Sequence, residues 1–167
     1  MKKLIFTALL LISFATITKA QATNPAMTEH DPSIRVKDSL IKVEIITPAR
    51  KAASPGDPDW DALTKAITAK YDAITADRTV CKAKIYYYYS RDKAVFCTNI
   101  IHYTDAYELA NDYKLLNLNA EMILQSDDNA AELKEALRWA KAAADSDSSN
   151  DKYKATYEAL QQKVNPQ

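Results

Sequence analysis

A single glycine, Gly56, serves the whole 167-residue chain. All-β folds and phosphate-cradling loops need backbone at positive φ, which glycine adopts without steric penalty. A chain with one such residue, rich instead in Ala, Leu, Lys, Asp and Tyr, is most simply built of helices joined by short polar turns. The expected fold class is therefore all-α.

The first residues stand apart from that fold. Lys2 and Lys3 precede an apolar run from Leu4 to Ile17, and small residues follow at Ala20 and Ala22. This is the pattern of a secretory signal peptide over residues 1–20, with cleavage after Ala20 or after Ala22. The run is shorter than the roughly 20 apolar residues a membrane span requires, and no later segment approaches that length. The expected product is exported, periplasmic or secreted, without an integral membrane segment after cleavage. Lys2, Lys3 and Lys19 leave with the signal, so 22 basic residues become 19 against 22 acidic ones. That balance gives no electrostatic footprint for nucleic acid.

Residues 21–56 contain Pro25, Pro32, Pro48 and Pro55, with Pro58 just beyond. Proline interrupts helices, and Ser39–Thr47 (SLIKVEIIT) partly alternates, so this stretch reads as an extended or irregular N-terminal arm. Residues 57–167 read as the helical domain. Asp57 is placed to cap a first helix, with Pro58 at its first position. Trp60, Leu63, Ile67 and Tyr71 recur at spacings of three and four, one apolar stripe. Further helices are expected over about 77–89, 92–103, 111–125, 130–144 and 151–164. About six such helices with short connections pack as antiparallel hairpins.

Chemistry-bearing residues are few. Cys81 and Cys97 flank the turn at Ser90 and Arg91. Folding a helical hairpin there offsets them by about one turn, roughly 4.5 Å along the axis, on helices about 8 to 10 Å apart. That geometry favours two buried thiols over a disulfide. His30 and His102 lack ligand spacing for zinc. The stretch Asp145–Asp151 (DSDSSND) lacks the glycine and the bidentate glutamate of a calcium loop. No nucleophile motif or phosphate loop occurs. No enzyme activity, metal or cofactor is expected.

The segment ALRWAKAAADSDSSNDKYKATYEAL, Ala136–Leu160, resembles the junction between two tetratricopeptide repeats. Small residues fall at Ala136 and Ala143, with Trp139 and Ala140 at the aromatic position and Ser148 where that family usually has proline. Tyr88, Cys97, Ile101 and Thr104 fit the same template in an earlier hairpin. The interval from Cys97 to Ala136 is 39 residues against about 34 for a strict repeat. The span Trp60–Leu160 is also similar to helical regions of secreted Bacteroidetes-type proteins. Some of those carry a thioredoxin-like domain, but this chain has no Cys-x-x-Cys and inherits no redox role.

That resemblance implies a right-handed stack of hairpins whose groove binds a protein or peptide partner. Four consecutive tyrosines, Tyr86–Tyr89, bear on it. On a helix they spread over about 300° and cannot share a face. The resemblance places Tyr87 and Tyr88 in the packing and Tyr86 and Tyr89 towards the groove, with Lys82 one turn before. Lys82, Tyr86 and Tyr89 are thus the candidate partner-binding residues. In the competing reading all four tyrosines simply pack against neighbouring helices or the arm. The expected function is a non-catalytic binding scaffold, the alternative a self-associating accessory module of an envelope complex.

Overall fold

The computed structural model describes residues 31–126 and 129–165. The expected signal peptide and the first part of the leader lie outside them. Among the described residues the elements are helical throughout, with no strand. The helices are α1 (Pro32–Ile41), a π-helical segment (Lys42–Ile46), α2 (Thr47–Ala53), α3 (Trp60–Lys70), α4 (Ala73–Tyr88), α5 (Lys93–Tyr107), α6 (Tyr113–Ser126), α7 (Ala130–Ser146) and α8 (Asp151–Val164). The expected all-α class is the observed one.

The described part of the leader differs from the expected extended arm. From Pro32 to Ala53 it is helical without interruption. Pro32 sits at the first helical position, where its missing N–H is not needed, and the Asp31 side chain caps the Ser33 N–H at 2.8 Å. Pro48 is absorbed by the π segment. In a regular helix its ring would meet the Glu44 carbonyl. Here the wider turn bonds the Thr47 N–H to the Lys42 carbonyl, five residues back. The same turn explains the misleading alternation. Ile41 and Ile46 are five apart, off-face by about 140° in an α-helix, yet both are buried beside Leu63, Ile67, Ala76 and Val80.

The first helix of the later domain also begins two residues later than expected. Asp59 is the cap, accepting from the Ala62 N–H at 2.9 Å. Asp57 instead accepts a 2.7 Å hydrogen bond from the Tyr88 hydroxyl. Asp72, Asp92, Asn129 and Asn150 cap α4, α5, α7 and α8. No described residue has positive φ, so even Gly56 is not used for left-handed backbone. Its carbonyl accepts from the Tyr87 hydroxyl at 3.0 Å.

Each helix from α3 onward packs on its chain neighbour, and α6 also touches α8 while α5 touches α7. The main core joins Tyr87 and Tyr88 of α4, Phe96, Cys97 and Ile100 of α5, Leu116, Ala120 and Ile123 of α6, Trp139 and Ala140 of α7, and Leu160 of α8. A second core fastens the leader helix to α3 and α4. The small residues Ala136, Ala140 and Ala143 are wholly buried, letting α7 approach its neighbours closely.

Candidate functional site

Between the leader helix and α4 lies a groove of about 700 Å³. One wall is Thr79, Lys82, Ala83 and Tyr86, spaced so that one face of α4 carries all four. The other wall is Arg35, Asp38, Ser39, Lys42, Ile46, Thr47 and Arg50. The second core holds these walls together, because Ile41 and Ile46 anchor the leader helix on Ala76 and Val80.

A buried ion pair closes the groove behind Asp38. Arg78 donates from Nε and Nη2 to the two carboxylate oxygens of Asp38, and the arginine side chain is only 2% exposed. Asp38 is the one carboxylate among the lining residues, and its charge is thus met by Arg78. The remaining charged lining residues are cations: Arg35, Lys42, Arg50 and Lys82.

Two of these cations have distinctive surroundings. Burial pushes the pKa of the Lys82 ammonium down, opposed by the nearby Glu108 carboxylate. Glu108 itself is pushed up by burial, with Lys82 acting in the opposite direction. The Lys82 Nζ lies 5.9 Å from the Tyr103 ring centre. The Arg50 guanidinium lies 5.1 Å from the centre of the Tyr87 ring. Its buried Nε has no hydrogen-bond partner among the described residues.

The tyrosine run divides by helical phase. Tyr87 and Tyr88 are 4% and 8% exposed, whereas Tyr86 and Tyr89 are 67% and 58% exposed. Trp60 packs on both buried rings and donates from Nε1 to the Tyr88 hydroxyl at 3.0 Å. Of the three candidate residues, Lys82 and Tyr86 share the groove. Tyr89 does not line it; its ring stands edge-on to Phe96 at 5.3 Å. Sequence reasoning missed Arg35, Lys42 and Arg50 because an extended arm has no fixed face. The available signal was their spacing of seven and eight residues, which is one face of a helix.

A second cleft, of about 250 Å³, gathers Asp77, Cys81 and His102 with Thr64, Val80, Lys84, Thr98 and Asn99. His102 Nε2 is 2.7 Å from Asp77 Oδ2, and the Tyr107 hydroxyl donates to the same oxygen. The Cys81 thiol donates to the Asn99 carbonyl at 3.2 Å. Burial, and secondarily the charge of Asp77, pushes its pKa up to about 12. A thiol held protonated in this way is a poor nucleophile. Cys81 and Cys97 are both buried and not joined in a disulfide, the arrangement the hairpin spacing favoured. Among the described residues no group of three or more His, Cys, Asp or Glu side chains could hold a metal ion. None of the described helices is long and apolar enough to cross a membrane.

Comparison with protein families, with characterised proteins and with solved structures returns no match for this chain.

Proposed function

We propose that this chain is an exported, non-catalytic helical scaffold that captures a protein or peptide partner in the groove between the leader helix and α4. The observation that carries the reading is the position of Tyr86. A tyrosine 67% exposed beside Lys82, at the rim of a groove of about 700 Å³, offers a large contact area with few torsions to freeze. The volume lies in the range of grooves that hold small ligands and peptide segments.

A photo-crosslinking side chain at position 86, compared with one at the exposed Leu118 on α6, tests the reading in the native envelope. A discrete adduct formed from position 86 and absent from position 118 supports it. Identical adduct patterns from the two positions contradict it.

A second reading, self-association, is favoured by one feature. Val36, Leu40 and Val43 are 62%, 48% and 68% exposed and recur at spacings of four and three on the leader helix. Light scattering across a concentration series distinguishes this reading: a monomer at high concentration removes it.

A further inference from the structure

We infer that the groove is selective for an extended acidic peptide segment of a partner, with carboxylates about three residues apart; this rests on the partner-binding reading above. The charge of the lining is the first argument. Arg35, Lys42, Arg50 and Lys82 face the groove, and the lining's one carboxylate, Asp38, is held by Arg78. A chain whose basic and acidic residues balance overall therefore presents a locally positive crevice. Glu108, beside Lys82, is the carboxylate that bears on that end of the groove.

The spacing of the cations is the second argument. Arg35, Lys42 and Arg50 follow one another at seven and eight residues along a single helical stretch. At about 1.5 Å per residue they stand about 10 to 12 Å apart, over roughly 22 Å in total. A compact phosphate needs donors that converge, and these do not. A chain in the extended polyproline-II form advances about 3.1 Å per residue with three residues per turn, so every third side chain lies on one face, about 9 Å from the last. It would bring a carboxylate to successive cations every three residues or so, and about seven residues would span most of the row.

Two local features fit such an occupant. Arg50 lines the groove with its guanidinium held 5.1 Å from the Tyr87 ring centre, a planar, positioned donor group suited to a carboxylate. The walls also carry Ile46, Ala83 and the Tyr86 ring, which can cover the apolar parts of a peptide between its charges. Three of the four cations precede residue 57, outside the part of the sequence that resembles helical repeats.

Fluorescence anisotropy of the full chain with a labelled Glu-Ala-Ala-Glu-Ala-Ala-Glu peptide tests the inference, beside the same peptide with Gln for every Glu. The expected result is saturable binding of the acidic peptide, at least tenfold weaker for the Gln peptide. Lys42→Glu, and separately Lys42→Ala, should each weaken it at least threefold without altering the melting temperature. Tripolyphosphate should not compete at concentrations matched to the peptide. Equal binding of both peptides, lost in Tyr86→Ala, overturns the acidic preference and leaves the partner groove standing. Binding of neither peptide overturns the inference, and the crosslink from position 86 then decides separately whether the groove has a partner. Displacement by tripolyphosphate at equal concentration overturns the extended-chain geometry in favour of a phosphate site.

Discussion

The guanidinium of Arg78, on α4, is buried against the carboxylate of Asp38, forty residues earlier on the leader helix. Arg78 is 1% exposed, so almost all of its hydration has been replaced by this one carboxylate and the surrounding helices. The pair fixes the leader helix at the register that shapes the groove. Removing one partner leaves a buried charge unmet, so Asp38→Ala should destabilise the fold by about 3 to 5 kcal/mol. Replacing both, as Asp38→Leu with Arg78→Met, should cost much less than the single change, because no charge is left behind. Urea denaturation of the parent and the two variants measures this. Equal losses for the single and double variants would show that the pair's charges are not coupled.

The tyrosine run should divide in solution as it does in the structure. Tyr88→Ala removes a buried ring packed on Trp60 and Tyr87, and should cost about 3 to 5 kcal/mol. Tyr88→Phe keeps the ring but loses the bonds to Asp57 and Trp60, and should cost about 1 to 3 kcal/mol. Tyr86→Ala, at an exposed position, should stay within about 0.5 kcal/mol of the parent. Thermal melts of the three variants give the ranking. A Tyr86→Ala loss comparable to that of Tyr88→Ala would place Tyr86 in the core.

The fold should weaken in alkali from about pH 9. An unfolded thiol ionises near 9.0, whereas the folded Cys81 holds its proton up to about 12. Between those values the unfolded chain binds fewer protons than the native one, so stability is complete below pH 9 and declines as pH rises. The slope from this thiol is at most about 1.4 kcal/mol per pH unit. Above pH 10, Tyr103 and Tyr107 steepen the decline, since burial holds both hydroxyls protonated beyond their usual range. Chemical denaturation at pH 7, 9, 10 and 11 should show this, with Cys81→Ala flattening the first part of the fall. A stability that stays level to pH 11 would mean that the thiol is hydrated in solution.

Native-state alkylation gives an independent view of the same thiols. Cys81 and Cys97 are 4% and 0% exposed, so iodoacetamide at pH 8 should label neither in the folded chain and both in denaturant. Rapid labelling of Cys81 without denaturant would show that α4 and α5 open readily at the second cleft.

The helices that could be read from sequence are those whose local signals agree with their packing. Tyr153, Tyr157 and Leu160 mark α8, and its observed bounds, Asp151–Val164, follow that stripe. Leu133, Leu137 and Ala140 do the same for α7, observed over Ala130–Ser146. Helical phase groups Tyr86 with Tyr89, three residues apart; that Tyr87 and Tyr88 are the buried pair is implied only by the resemblance to helical repeats. The leader helix was not legible, because Pro48 argues locally against a helix and only a π turn reconciles it with buried Ile41 and Ile46. Once that helix was missed, the opposite wall of the groove was missed with it. Arg78 gave no sign either: nothing in a sequence tells a buried arginine from a surface one until its partner, Asp38, is placed. Asp57 shows the limit of cap reading, since Asp59 two residues later is equally suitable and has the open N–H to bind.

Backbone amide mapping shows directly whether an acidic peptide occupies the groove between the leader helix and α4. The ¹⁵N-labelled full chain would be titrated with the Glu-Ala-Ala-Glu-Ala-Ala-Glu peptide. Saturable shifts are expected, concentrated in residues 35–50 and 79–86, with α7 and α8 unmoved. Shifts confined to other helices, or none at saturating peptide, would contradict it.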